Sequence, residues 1–305
     1  MTGLSSTGTL KALLFAGLPC VAAMLAAGPA RASISSCSVS SAGIAFPAYD
    51  TVTKAQVDST GTITVTCTGS GNENLSLNLT GGYTGSCSPR QMRNGGDALG
   101  YQVYRNAART QAFCDGGNRL DISINFGGGS TQTHSYTMYG RVTANQNPAW
   151  GNGYSDSLTV ALKRGGNTLA TGTAPIYGSV TPTCSVSAGT LGFGGYVQTA
   201  ASLSTATVSV NCSNGAPYQV SLAGGQNLSG TVRRMAAPGG YFLSYELFSD
   251  ALRTAAWGDG GALGAKVSGT GSGGAQNLIV YGRVPAGQAA APGSYDDSVI
   301  VTVEY

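Results

Sequence analysis

The stretch "SYDDSVIVTVEY", residues 294–305, decides the fold. Its last seven residues alternate and place Val299, Val301, Val303 and Tyr305 on one face, which is the two-residue period of a β-strand. Because the opposite face is also partly apolar, we expect this strand to lie inside a sheet. No residue follows Tyr305 in this sequence, so we expect the neighbour of the strand to come from elsewhere.

The same strand occurs earlier in the chain, within an internal duplication. "GYSDSLTVAL" (153–162) matches "SYDDSVIVTV" (294–303), and four further blocks match in the same order. These blocks are "CSVSSAGIAFPAYD" from Cys37 with "CSVSAGTLGFGGY" from Cys184, "GTITVTC" to Cys67 with "ATVSVNC" to Cys212, "LGYQVYRNAARTQAF" (99–113) with "LSYELFSDALRTAAW" (243–257), and "MYGRV" (138–142) with "VYGRV" (280–284). The duplication predicts two domains, 33–163 and 184–305.

Each copy reads as a β-sandwich. The 305 residues include 47 Gly, are 42% hydrophobic and are only 10% charged, a composition typical of an all-β protein with enough apolar residues for cores. Six alternating segments per copy are separated by Gly, Pro, Asn and Ser, one fewer than the seven strands of an immunoglobulin-type sandwich. They lie near 36–45, 60–67, 73–79, 99–105, 133–143 and 154–163, and near 183–193, 204–212, 217–223, 241–249, 276–284 and 295–305.

The segment between the copies, residues 164–183, has the sequence "RGGNTLATGTAPIYGSVTPT". Residues 168–180 could form an extended strand that completes the first domain. They could equally form a plain linker. No equivalent segment follows the second copy.

The N-terminus has the features of a secretory signal peptide. Lys11 precedes the apolar run "ALLFAGLPCVAAMLAA", and Ala30 and Ala32 fit a cleavage site of small residues. We predict a signal peptide at 1–32; a membrane anchor is the alternative, but the run is short for a span. Removal of Lys11 and Arg31 lowers the formal net charge from +3 to +1. We therefore expect no nucleic-acid partner.

Six cysteines remain after cleavage, an even number that indicates disulfides in an oxidising compartment. Two pairs hold equivalent places in the two copies, and one pair occurs only in the first copy. We therefore predict the disulfides Cys37–Cys67, Cys184–Cys212 and Cys87–Cys114. With no CxxC spacing, we expect no metal site.

An enzyme is not indicated. His134 is the only histidine, and the sequence contains neither GxSxG nor a phosphate-binding loop. Asp156 and Asp297 recur at the starts of equivalent strands, where a structural turn role is expected rather than a catalytic one. We predict no catalytic residue and no cofactor.

The second copy resembles the spore coat protein U domain family, which includes subunits of archaic (Csu-type) chaperone–usher pili. The blocks that carry the resemblance are "CSVSAGTLGFGGY", "VSVNCSNGAPYQVSL", "RRMAAPGGYFLSYELFSD", "TAAWGDG", "VYGRVPAGQ" and "GSYDDSVIVTVEY". The first copy keeps this frame but departs from it at Phe113 and Cys114, and in "NQNPAWGNG".

The resemblance implies an incomplete immunoglobulin-like fold whose last strand is missing from the chain. In that family a periplasmic pilus chaperone supplies the strand first, and an adjacent pilin subunit replaces it at an outer-membrane usher. The acceptor edge would be formed by Val299, Val301, Val303 and Tyr305.

The resemblance also suggests a position at the tip of the fibre. Only "SISS", residues 33–36, precedes Cys37 after cleavage, and four residues cannot fill a groove as long as a strand. A subunit that accepts a strand but gives none resembles the two-domain tip adhesins, which bind abiotic or host surfaces and support biofilms. The alternatives are a structural shaft or spore-coat-like protein, or a glycan-binding adhesin of the lectin type.

A map of the binding loops follows if the last strand of the first copy ends at the linker. Three loops of antiparallel strands would then lie at the far pole. Their candidate surface-binding residues are Phe46, Pro47, Tyr49, Tyr83, Pro148, Ala149 and Trp150. The alternative for Phe46 and Trp150 is that they cap the sandwich core.

Overall fold

The structure is a computed structural model that describes residues 32–305. The predicted signal peptide, apart from Ala32, lies outside the described residues. In the described part, no helix has both the length and the apolar character needed to cross a membrane.

The first domain is one nine-stranded sheet that folds over itself. Its strands are β1 (Ser33–Ala45), β2 (Val57–Ser70), β3 (Asn72–Leu79), β4 (Arg90–Asn94), β5 (Asp97–Tyr104), β6 (Leu120–Asn125), β7 (Ser130–Val142), β8 (Gly151–Arg164) and β9 (Asn167–Val180). The order is β4-β5-β7-β2-β1-β9-β8-β3-β6, and a bridge between Arg93 and Ser155 also joins β4 to β8. The two halves of the sheet therefore face each other across one core.

The alternation of buried and outward-facing side chains along β2 shows why these residues form a sandwich. Ile63, Val65 and Cys67 are buried in the core, whereas the threonines between them face outward. The outward hydroxyls of Thr66 and Thr133 on β7 are 2.9 Å apart across the strand pair. β-Branched residues suit both faces of such a strand, because the branched side chain packs well on a pleated surface.

The segment between the two copies is a strand of the first domain. Strand β9 runs antiparallel to β8 over its whole length and parallel to the end of β1, where Ile176 lies opposite Ile44. Ala174, Ile176 and Val180 of β9 are fully buried. The structure therefore shows that residues 168–180 form a strand of the first domain and not a plain linker. The first domain extends to Val180 rather than to residue 163.

The second domain contains eight strands in two sheets. They are β10 (Cys184–Ala188), β11 (Ser202–Cys212), β12 (Pro217–Leu222), β13 (Arg233–Ala237), β14 (Tyr241–Phe248), β15 (Val267–Thr270), β16 (Ala275–Val284) and β17 (Val301–Glu304). One sheet has the order β10-β11-β16-β14-β13 and the other has the order β15-β12-β17. For the described residues, the predicted fold class is confirmed: an all-β chain with two immunoglobulin-like sandwiches, of which the second lacks a strand present in the first.

All three predicted disulfides are confirmed. The repeated pairs Cys37–Cys67 and Cys184–Cys212 each join directly opposite residues of the first two strands of their domain. The third joins Cys87, just before β4, to Cys114 beyond β5 and is particular to the first domain.

Candidate functional site

The two copies differ most where β9 lies in the first domain. There β9 separates β1 from β8 and pairs with both. In the second domain, across the described residues, β10 pairs only with β11, β17 pairs only with β12, and no strand lies between β10 and β17. Strands β10 and β17, which pair on one edge only, are also short, at 5 and 4 residues against 13 and 14 for β1 and β8. We call the space between residues 188–196, which run on from the end of β10, and residues 295–301, which lead into β17, the open groove.

One wall of the open groove is formed by the C-terminal stretch, residues 294–305, which includes β17. In the first domain, the inward residues of this strand are 0% exposed: Leu158, Val160 and Leu162. Their counterparts in the second domain are only half-buried: Val299, Val301 and Val303. The sequence pattern is the same, so the difference in burial comes from the missing neighbour.

The opposite wall shows the same contrast. Ile44 and Phe46 of the first domain are 1% and 7% exposed, whereas their counterparts Leu191 and Phe193 are half-buried. Backbone pairing is also lost, because Phe46 donates its N–H to the carbonyl of Tyr177 in β9. Among residues 32–305 the amide of Phe193 has no such strand to donate to.

The open groove contains two adjoining cavities of about 300 Å³ and about 1120 Å³. Its floor is apolar and includes Val208, Leu247 and Val280, and Met235 and Leu191 line both cavities. Full burial of a Val or Leu side chain is worth about 1.5–3 kcal/mol relative to exposure. A strand that covers this floor would therefore gain substantial binding free energy from the side chains alone.

The carboxylate of Asp297, which is hydrogen-bonded to a tyrosine, lies at one end of the groove. Asp297 accepts hydrogen bonds from the Tyr245 hydroxyl at 2.6 Å and from the Gln226 amide at 2.8 Å. Burial, followed by the hydrogen bond to Asp297, raises the pKa of Tyr245. The first domain repeats the arrangement with Asp156 and Tyr101, also at 2.6 Å. These aspartates hold a neighbouring loop and a tyrosine in place.

Two buried arginines support the same region. Arg233 donates to the carbonyls of Leu222 and Ala223 at 2.8 and 2.9 Å, and Arg90 donates to Leu79 and Phe113 in the first domain. Burial lowers the pKa of both guanidinium groups. Since their hydrogen-bond partners are backbone carbonyls, the two arginines fix the positions of the neighbouring loops. Sequence reasoning missed both residues, because neither lies in one of the five matched blocks.

The predicted map of the binding loops is wrong. Strand β9 adds one strand to the first domain, so β8 starts at the domain junction and ends at the opposite pole. Phe46 and Tyr49 are buried, and the hydroxyl of Tyr49 accepts from the amide of Gln146 at 2.9 Å. Pro47 is exposed beside them at the junction end.

The second predicted loop lies at the junction between the domains. Trp150 donates its backbone N–H to Asn214 and its indole N–H to Gly215, each at 3.0 Å. Pro148 is buried and Ala149 is half-buried. Tyr83 is 67% exposed, yet its amide donates to Asp156 near the start of β8, so it lies nearer the junction than the far pole.

The far pole of the first domain is formed by residues that the sequence did not indicate. The turns at residues 70–72, 126–129 and 164–167 join the strand ends that lie farthest from the second domain. β8 spans its 14 residues from the junction to this pole, a length of roughly 43–46 Å. The exposed residues of these turns are glycine, asparagine and arginine, and Phe126 is buried.

Comparison with known proteins matches both copies. The sequence model of the family described as Spore Coat Protein U domain matches residues 22–161 and 170–302. Protein U of Myxococcus xanthus is 33% identical over 131 residues, which span 38% of this chain and 72% of that protein.

Two solved structures are similar at lower identity. The CsuC–CsuE chaperone–tip adhesion subunit complex of archaic Csu pili from Acinetobacter baumannii aligns with a TM-score of 0.47 and 19% identity, over 77% of this chain and 85% of that chain. The CupB6 tip adhesin of Pseudomonas aeruginosa aligns with a TM-score of 0.38 and 11% identity, over 88% and 94% of the two chains.

Proposed function

The chain belongs to the Spore Coat Protein U domain family, and on that premise we propose that it is an exported fimbrial subunit completed by a strand from another protein. The observation that carries the proposal is the open groove beside β10 and β17, whose counterpart in the first domain is filled by β9. We propose a role in assembly and attachment, without catalysis.

The chemistry of the groove favours an extended peptide as its occupant. Residues 190–196 after β10 and residues 297–300 before β17 form edges that pair with no strand of the described chain, and half-buried Val299 and Val301 line the space between them. Such an edge accepts an added strand, in which main-chain hydrogen bonds give affinity and alternate side chains give specificity. A periplasmic pilus chaperone would supply this strand during export, and an adjacent pilin would replace it at the usher.

A terminal position in the fibre is supported by the start of β1. With cleavage after Ala32, residues 33–36 precede the first cysteine, and these residues already pair with β2, where Ser33 lies opposite Ser70. They are therefore engaged within their own domain and are not free to enter another subunit. We propose that the second domain joins the pilus and that the first domain is its adhesive tip, which would support biofilm formation.

The far pole of the first domain is the proposed adhesive surface. The turns at residues 70–72, 126–129 and 164–167 expose backbone groups, Asn72, Arg164 and Asn167, and none of these three turns has an exposed aromatic residue. Such a surface hydrogen-bonds to polar groups, which favours a glycan or other hydroxylated receptor over a bare hydrophobic surface. The double substitution Asn72→Ala with Asn167→Ala should abolish attachment on a glycan array while fibres still assemble. Undiminished attachment would refute this location.

The assembly role is tested by scanning calorimetry of the full chain with its disulfides formed. Alone, the chain should show two transitions, with the second domain melting first because its groove is open. Co-purification with a pilus chaperone should raise only the lower transition. A second domain that melts as high as the first without any partner would refute the proposal.

A further inference from the structure

We infer that the strand which completes the second domain carries the inward side-chain pattern of β9 and binds in the β9 register, antiparallel to β17. This inference rests on the proposed function. It adds the sequence pattern of the partner, which the groove alone does not give. The chain supplies the template, because the first domain is a filled copy of the open groove.

The register of β9 on β8 is set by backbone pairing along the whole strand. The pairs that concern the groove are Tyr154 with Gly178, Asp156 with Ile176, Leu158 with Ala174, Val160 with Gly172 and Leu162 with Ala170. Read along β9 from Ala170 to Gly178, the inward residues are therefore small, glycine, small, large and glycine. Val180 follows as a second large inward residue and is fully buried.

The matched sequence blocks transfer this register to the second domain. "GYSDSLTVAL" aligns with "SYDDSVIVTV" residue by residue. The donor strand should therefore place glycine opposite Tyr295 and Val301, a large apolar residue opposite Asp297, and small residues opposite Val299 and Val303.

The glycine opposite Val160 is required by the backbone. A Cβ at Gly172 would lie 2.5 Å from the carbonyl oxygen of Val39 on β1, and a backbone atom cannot move aside cheaply. The counterpart of Val39 is Val186, which holds the same place on β10, opposite Val210, as Val39 holds opposite Val65. A strand with a side chain at this position should be excluded from the open groove.

The second glycine is less strict. A Cβ at Gly178 would lie 3.0 Å from the terminal methyl of Met92, a flexible side chain that can shift. Met235 is its counterpart, because Met235 pairs with Leu243 as Met92 pairs with the matched Leu99, and Met235 lines the open groove. Alanine should therefore be tolerated at this position, whereas a large side chain should not.

The large residue fills the space between the two walls. Ile176 is fully buried between Ile44 on β1 and Asp156 on β8. The counterparts of these two neighbours, Leu191 and Asp297, both line the cavity of about 300 Å³ in the second domain. An apolar side chain of the donor strand has this cavity to enter, so truncation at this position should weaken binding strongly.

A synthetic peptide tests the pattern, because residues 167–180 of this chain have the required sequence. Binding of the labelled peptide to the full chain is measured by fluorescence anisotropy, beside calorimetry of the second domain. Peptides with Gly172→Leu and with Ile176→Gly are the matched variants, and the full chain with Val301→Arg is the control for the site.

The parent peptide should bind the full chain and raise the lower transition, and each peptide variant should bind at least tenfold more weakly. Val301→Arg should abolish binding, which shows that the peptide enters the second groove and does not exchange with β9. Three results would overturn the pattern but leave the proposed function standing. They are equal binding of the parent and variant peptides, binding that survives Val301→Arg, and no peptide binding to a second domain that is unstable. A second domain as stable as the first, with no peptide bound, would overturn both.

Discussion

Val160 and Val301 are identical residues at equivalent positions of the two domains, so truncating each to alanine compares a filled groove with an open one. Val160 is 0% exposed beneath β9, whereas Val301 is half-buried at the edge of the open groove. Val160→Ala removes two buried carbon groups and leaves a cavity under β9. The expected loss in the free energy of unfolding of the first domain is about 2–3 kcal/mol.

Val301→Ala should cost much less in the free chain. Part of the Val301 side chain already contacts water, and no β9 counterpart lies over the position to leave a cavity. We expect a loss of about 1 kcal/mol or less in the second domain. Once a donor strand fills the groove, the cost should approach that of Val160→Ala, because the two environments become equivalent.

The two variants are compared by urea unfolding of the full chain, in which each domain is followed separately by amide signals in NMR spectra. The slope of the transition shows whether the same surface is exposed on unfolding. Equal costs for the two variants in the free chain would refute the reasoning, since Val301 would then be as fully packed as Val160.

Three further predictions concern the rest of the molecule. Trp150→Phe removes the indole donor to Gly215 and should increase motion between the domains in small-angle scattering, with both unfolding transitions unchanged; an unchanged scattering profile would contradict a role at the junction. Serine at both Cys87 and Cys114, which are 27 residues apart, should destabilise the first domain by about 2–4 kcal/mol and leave the second unaffected in calorimetry. The pKa of Tyr245 is raised in the folded state, so its contribution to stability is present below pH ~10 and is lost as the pH rises above that value. Tyr245→Phe should flatten this alkaline loss in the second domain, and an unaltered pH profile would contradict the assignment.

The duplication made much of the fold predictable. Matched blocks identified two domains, the equivalent disulfides and the strand β17, since side-chain alternation and repeated cysteines are local features of the sequence. The predicted strand near 295–305 is shorter in the structure, where it covers only Val301–Glu304. The short strands β4, β6, β13 and β15 were missed, because they are brief, polar or glycine-bearing and owe their pairing to longer neighbours. Their formation depends on tertiary contacts that no local period records.

The loop map failed for a different physical reason. Antiparallel strands alternate in direction, so the pole at which each loop lies depends on the number of strands before the linker. One added strand, β9, therefore moves the predicted loops from the far pole to the domain junction. The inward pattern of Ala174, Ile176, Gly178 and Val180 was present in the sequence, but small residues give a weak apolar signal. Trp150 contacts Gly215, which lies 65 residues away in the other domain, so no periodicity within one copy could reveal that contact.

The amide hydrogen exchange of residues 299–304 tests the central claim most directly. In the free chain, the amides of this strand that point toward the open groove should exchange far faster than the corresponding amides at residues 158–163, which pair with β9. A bound donor strand should bring the two sets to similar protection. Equal protection of both sets in the free chain would contradict the account, because the second domain would then already be complete.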